Sequence, residues 1–389
     1  AVVLIFRHGG EAFIAAIAGE SSSARHRCSR WSTAAIRSPA AKWRTCARRP
    51  SSSISSTEKR RSPPATWTCS IASCSPITGR LDGLRRLEDA GVAAVVLPSI
   101  FEEQLEHEDR EMKRVHEVGS ETFPEAVGGY FPEIPAARSK TEEQLDLIRE
   151  ARATLSIPVI ASLNGHTKGG WVEYARSVED AGAHALELNL YAVPADVDRS
   201  GAEVERDYLE LVESIRSHTN LPLALKLSPF FSSPGHMGRR MVEAGAQGVE
   251  LFNRFMQPDI DLETLQVTPT VRLSTNDEVK LPLRWIALLR DRVNASLAAT
   301  TGVHQWPDVA KLLLVGADAV MATSVFLRQG PEYARPLLDG LHTWMTQNDY
   351  ESVDQLKGSM SQRHSPNPSA FERANYMAAL TRYVWEEGW

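Results

Sequence analysis

The chain has 389 residues, 42% hydrophobic and 24% charged, with a net charge of -6 at neutral pH. That length suffices for one large domain plus appendages, and the acidic balance argues against nucleic acid, whose binders usually carry a basic surface that displaces counter-ions from phosphate. Apolar runs such as Val92 to Leu97 are strand-sized, far short of the roughly 20 residues that span a bilayer, so no membrane is expected. The expected partner is a small molecule and the expected location the cytoplasm.

The first seventy residues stand apart. They hold ten Arg and two Lys against three Glu, a net +9, so the remaining 319 residues carry -15. All four cysteines (Cys28, Cys46, Cys69 and Cys74) lie before Ser75, at spacings that match no zinc or iron-sulfur pattern; no metal site is expected. No period of 2 or 3.6 runs through this stretch. Residues 1–74 therefore read as an irregular Arg/Ser-rich segment in which 67–74 is a weak first strand. The pattern turns organised abruptly near Ser75, as it would downstream of a frame or start-site error. Disorder and an Arg-rich, acid-poor transit peptide are the alternatives.

From residue 75 a repeat takes over. EDAGVAAVVL (88–97), EDAGAHALEL (179–188), VEAGAQGVEL (242–251) and LVGADAVMAT (314–323) each run from a helix end through glycine into an apolar strand. Gly91, Gly182, Gly245 and Gly316 sit where a helix needs a left-handed terminal residue, and the runs behind them are too apolar for a half-exposed strand. Further strands are predicted at 157–163, 221–227 and 295–300. Together with 92–98, 185–191, 248–253 and 319–325 they make seven, with Trp67 to Cys74 as the only candidate for an eighth. Strict alternation over residues 75–330 predicts an α/β fold, a (β/α)8 TIM barrel. A doubly wound sheet would want a Gly-rich G-x-G-x-x-G turn, which is absent. Two long connections, roughly 100–140 and 255–281, fall on the strand-to-helix side, where such loops wall an active site. Residues 331–389 are expected to be C-terminal helices packing on the barrel.

Chemistry in such barrels sits at the C-terminal strand ends. These carry Ser99, Asn164, Asn189, Lys226, Asn253, Thr300, Thr301, Gly302, Thr323 and Ser324. Taken singly, Asn, Ser and Thr there often cap helices. Lys226 is harder to dismiss, because in the apolar run LALKLSP an ammonium is costly unless it meets an anion or acceptor atoms. The stretch from Thr300 to Ser324 places two small-residue turns one strand-helix unit apart, the usual arrangement of a barrel phosphate site; aldolases and isomerases use the same device.

SPITGRLDGLRRLEDAGVAAVVLPS (which begins at Ser75), ELNLY, LALKLSP, LFNR and the Thr301–Ser324 stretch together resemble the dihydroorotate dehydrogenase family, most closely its dihydroorotate dehydrogenase-like branch. The resemblance spans about residues 75 to 345. It implies an oxidoreductase with FMN across the barrel mouth, acting on a C–C bond of a small pyrimidine-like substrate, with an unidentified electron acceptor and room for a homodimer. Lys226 would meet the flavin ring near N1 and O2. Ser75, Ser99, Asn189, Thr301, Gly302, Val303, Thr323 and Ser324 would complete the cofactor site, the last four with its phosphate; Asn164, Asn189 and Asn253 would face substrate. Family members that oxidise dihydroorotate carry a Cys or Ser base shortly after the Asn of the fourth-strand motif. Here Ala192 stands at that position, Pro194 replaces the second Asn of the pattern, and Pro98 replaces a Lys. Tyr191 and His166 are the substitute bases considered, with His304 a third. The alternatives are a non-catalytic flavin or phosphate-ligand binder and a lyase or isomerase using Lys226 as a Schiff base.

Overall fold

The helix-turn-strand repeat is present in the computed structural model, which describes residues 2–4, 77–104, 139–165 and 171–386. At each of the four junctions a left-handed glycine ends a helix, with φ of +97° at Gly91, +91° at Gly182, +116° at Gly245 and +112° at Gly316. The next residue closes the helix end by donating five residues back, as Ala246 N–H does to Met241 O at 3.1 Å and Ala317 N–H to Leu312 O at 2.9 Å. A side chain in that region clashes with its own backbone. At Gly245 and Gly316 a Cβ would also come within 2.7 and 2.6 Å of the Arg216 and Arg290 stems, so glycine is required there on two grounds.

In chain order the barrel elements are β1 (Val2–Leu4), α1 (Leu81–Asp89), β2 (Ala94–Phe101), α2 (Lys140–Thr154), β3 (Val159–Gly165), α3 (Trp171–Asp180), β4 (Ala185–Leu190), α4 (Gly201–Arg216), β5 (Leu223–Leu227), α5 (Pro234–Glu243) and β6 (Gly248–Leu251). Then come the hairpin β7 (Pro258–Asp261) and β8 (Gln266–Pro269), α6 (Lys280–Leu289), β9 (Ser296–Ala299), α7 (Trp306–Val315), β10 (Ala319–Ala322) and α8 (Ser324–Gln329). Reciprocal capping boxes start α2 (Ser139 with Glu142) and α4 (Ser200 with Glu203). The inner stripe of α4 is Tyr208, Leu211, Val212 and Ile215, the i, i+3, i+4, i+7 spacing of one buried helix face.

Strands β2, β3, β4, β5, β6, β9 and β10 pair in parallel in that order. Each connection carries a helix and both sheet faces are buried, the conditions under which parallel pairing occurs. The seven strands curl, but their outer edges do not pair with each other. Strand β1 lies between those edges, antiparallel to both β2 and β10. The fold is therefore TIM-barrel-like, and all seven strands expected from the sequence are present. The eighth place is filled by residues 2–4, from the stretch read as irregular, while the expected first strand at Trp67 to Cys74 lies outside the described residues. Everything described belongs to one unit, residues 1–19 with 75–389.

Side chains alternate along each strand. One set, including Val95, Leu163, Leu188, Leu225 and Val249, packs outward against the helices. The other fills the interior with a layer of Ala94, Val96, Ile160, Ala185, Ala224 and Ala298, closed by Ala319 and Met321. Two residues further along, the same inward series turns polar: Ser162, Glu187, Lys226 and Glu250. Past α8, helix α9 (Ala334–Gln347) buries Ala334, Leu337, Leu341 and Met345, and its Gly340 lies directly over the Trp306 ring of α7. Helix α10 (Val353–Leu356) follows, and the chain then returns to the barrel helices, where Gly358 N–H bonds Leu313 O at 3.0 Å and Gln362 N–H bonds Ala287 O at 3.0 Å. The last helix, α11 (Ala374–Glu386), leaves Tyr376, Met377 and Leu380 exposed. Among the described residues no helix is long and apolar enough to cross a membrane.

Candidate active site

Parallel register brings the inward residues of neighbouring strands to one level. Ser162 pairs with Glu187, Asn164 with Asn189, Asn189 with Lys226, and Lys226 with Glu250. Ser99, on β2, is in register with Ser162. These side chains form one connected network. Ser99 Oγ lies 2.7 Å from Ser162 Oγ, and Ser162 Oγ donates to Glu187 Oε1 at 2.7 Å. Asn189 Nδ2 donates to Ser99 Oγ at 3.1 Å and to Glu187 Oε1 at 3.3 Å, while its Oδ1 accepts from Asn253 Nδ2 at 2.8 Å. Lys226 Nζ is 3.7 Å from Glu187 Oε1, with its side chain only 13% exposed.

The two carboxyls beneath this network are shifted in opposite directions. Burial pushes both towards the neutral form. In Glu187 the Lys226 ammonium and a hydrogen bond from Glu250 outweigh burial and hold it below the ordinary carboxylate range. Glu250 is held well above that range by burial and then by the charge on Glu187. Among the described residues the site thus has a floor of one ammonium and two carboxyls, with amide and hydroxyl groups at its rim.

A second polar group lies at the ends of β9 and β10, which are neighbours in the sheet. Thr301 and Gly302 have φ of +86° and +80°, turning the backbone sharply after β9, and Thr301 Oγ1 bonds Phe252 O at 3.2 Å. Gly302 is tied to this turn by contact, since a Cβ there would sit 2.2 Å from Val279 N. Thr323 is exposed, whereas Gly302 and Val303 are buried. The Ser324 hydroxyl accepts the Ser274 N–H at 3.0 Å, and Ser274 Oγ lies 3.0 Å from His304 Nε2. His304 is held below its ordinary pKa by burial and by the Arg328 charge. Just ahead of α7, buried Asp308 takes the His304 and Gln305 N–H groups at 3.0 and 2.9 Å.

Of the sequence-derived site residues, Ser99, Asn164, Asn189, Lys226 and Asn253 come together at one end of the barrel, and Thr301, Gly302, Val303, Thr323 and Ser324 lie on the adjoining strand ends. His166 and Ser75 lie outside the described residues. Tyr191 stacks on Phe255, with ring centroids 4.2 Å apart, and its hydroxyl accepts the Met256 N–H at 3.2 Å. Its ring thus has a structural task at the mouth. Ser162, Glu187 and Glu250 were missed. Their signal was the one that exposed Lys226, a polar residue at an inward position of an apolar strand, in VIASLNG, ALELNL and GVEL.

No family model matches the chain. Similarity to curated proteins is clear. An Aeropyrum pernix protein assigned as dihydroorotate dehydrogenase A (fumarate) is 27% identical over 60% of this chain and 77% of its own length. The catalytic subunit of dihydroorotate dehydrogenase B (NAD(+)) from Methanothermobacter thermautotrophicus is 25% identical over 61% of this chain and 79% of its own. The chain is a relative of the dihydroorotate dehydrogenases. The similarity extends to the PreA subunit of the NAD-dependent dihydropyrimidine dehydrogenase of Escherichia coli K12, 24% identical over 57% of this chain, which spans only 58% of that subunit. In this dihydroorotate dehydrogenase relative the position expected to carry the base is the methyl group of Ala192, which packs against the hydrophobic core. Among the described residues no group of three or more His, Cys, Asp or Glu could hold a metal ion.

Proposed function

We propose that the chain is an FMN-dependent oxidoreductase of the dihydroorotate dehydrogenase type, acting on a C–C bond of a small pyrimidine-like substrate. The observation that carries this reading is the position of Lys226, a nearly buried cation at the barrel mouth beside the Asn189–Asn253 amide pair, in a relative of enzymes named for dihydroorotate and dihydropyrimidine. The donor set suits a flavin ring: an ammonium, two amides and a hydroxyl match a heterocycle of carbonyl and ring-nitrogen acceptors. Lys226 and Ser99 would hold the ring, and the backbone at Thr301, Gly302, Val303, Thr323 and Ser324 its phosphate. When bound, FMN would supply the two-electron acceptor for the C–C bond.

The chain's own residues would do the rest. Lys226 would provide a fixed positive charge to a flavin bound there, a contribution that needs no reorganisation during reaction. Asn189 and Asn253 lock each other through their 2.8 Å bond, which orients both amides for a planar polar substrate, and Asn164 extends the row. Proton removal is the weak step. Ala192 cannot accept a proton, and Tyr191 and His166 are the groups left to serve, with the Tyr191 hydroxyl as a base only after releasing the Met256 N–H. Cytoplasmic residence and a separate electron acceptor belong to the same proposal, the latter motivated by relatives that are named as subunits.

A second reading, a flavin binder without dehydrogenase chemistry, is favoured specifically by Ala192. Stopped-flow mixing of the FMN-loaded protein with dihydroorotate and with other dihydropyrimidines separates the two. Bleaching of the flavin band with formation of the unsaturated pyrimidine is the expected result. Retained FMN that none of these compounds reduces would establish the binder.

A further inference from the structure

Glu187 and Glu250 stand on β4 and β6 with Lys226 on β5 between them, and each glutamate is only 1% exposed. Two anions so placed in an apolar barrel, with one cation between them, would carry an uncompensated buried charge. Instead, the buried Oε2 of each carboxyl has no donor among the other described groups, and a proton held between the two carboxyls would supply one as a mutual hydrogen bond. An ionised carboxylate has no donor, so such a bond exists only when one of the pair carries a proton. The remaining donors show which one is charged. Ser162, Asn189 and Lys226 all converge on Glu187 Oε1, at 2.7, 3.3 and 3.7 Å. Oε2 of each glutamate is buried and receives no donor from any other described group. In the register, Glu250 is flanked on its other side by Ala298, which brings no charge.

We infer that Glu187 and Glu250 are a one-proton carboxyl pair, Glu187 ionised and Glu250 neutral, that positions Lys226 beneath the barrel mouth as a unit of zero net charge. Neither residue touches the reacting atoms; both act through Lys226. The pair has a definite logic. Lys226 needs one counter-ion, and either glutamate can supply it, so the proton resides on whichever carboxyl the ammonium does not use. Ser162 and Asn189 decide the choice by donating to Glu187. A second ionised carboxyl would cancel the positive field that Lys226 presents, and keeping Glu250 protonated avoids this. Only that consequence rests on the flavin reading; the proton on Glu250 does not.

Infrared difference spectroscopy on the full chain without added flavin, at neutral pH, reads the proton directly. Wild-type protein is expected to show the carbonyl stretch of a buried protonated carboxyl, shifted on transfer to D2O, and Glu250→Gln to abolish it. Glu187→Gln is expected to abolish it too, because Lys226 then takes Glu250 as its counter-ion. A carboxyl kept neutral by burial alone would persist in that variant, and its persistence would overturn the pairing. Absence of the band from wild-type protein would overturn it as well, and that measurement depends on no variant folding. Circular dichroism checks that each variant compared is folded. Because the measurement needs no flavin, a protein that proves not to bind FMN leaves this result unaffected.

Discussion

An ammonium inside an apolar strand persists only with a partner, and Lys226 has Glu187 at 3.7 Å. Replacing the lysine by methionine keeps most of the volume and removes the charge. Lys226→Met is expected to slow reduction of the FMN-loaded protein by a dihydropyrimidine about 10²-fold, the scale of losing one preorganised electrostatic group; an unchanged rate would separate Lys226 from the chemistry. Glu250 gives a pH prediction with a definite sign. Its carboxyl is raised in the folded chain and has the ordinary value of 4.5 when unfolded, so between those limits the unfolded chain has lost a proton that the folded chain keeps. Stability therefore falls as pH rises through that window. Glu250→Gln, which can still donate to Glu187, removes this slope. Its denaturation midpoint in urea should gain on wild type from acid towards neutral pH, and a parallel pair of curves would contradict the raised value. At this scale the sequence was legible wherever a polar residue interrupted an apolar run, and Lys226 was found in that way. Glu187 and Glu250 obey the same rule, yet their meaning depends on strand register. Which inward residues share a level is set by the stagger of the sheet, not by spacing along the chain.

Among the elements, the glycine-ended helices are what fix where β2, β4, β6 and β10 begin. Gly245→Ala would place a side chain at φ +116° and within 2.7 Å of Arg216 Cγ. The left-handed conformation alone costs roughly 1–2 kcal/mol, and thermal denaturation should show at least that loss; a neutral substitution would mean that the α5–β6 turn can relax. The repeat that carries these glycines made four strands readable, each a continuous apolar run behind a fixed turn, and the apolar runs between them gave three more. Strand β1 was not readable. It is three residues long, runs antiparallel, and lies in an Arg- and Ser-rich stretch that has no period. The β7–β8 hairpin was likewise seen only as a long connection. Its strands are four residues each and largely exposed, so no buried face imposed an alternation on the sequence.

For the molecule as a whole, seven parallel strands deliver a row of polar groups to one end of the barrel, and the two turns after β9 and β10 adjoin that row. The architecture explains why the strand-end part of the resemblance was informative: those positions share one surface although they span the chain from Ser99 to Ser324. It also explains why the position of Ala192 matters, since it follows directly on Tyr191 and the end of β4, the strand that carries Asn189. The proposed function depends first on flavin occupancy. Absorbance spectroscopy of the purified full-length protein, followed by release and quantification of the bound chromophore, measures it directly. The account expects a flavin spectrum, as purified or after incubation with FMN, at about one FMN per chain, as a single barrel-mouth site requires. A colourless protein that takes up no FMN on reconstitution would contradict it.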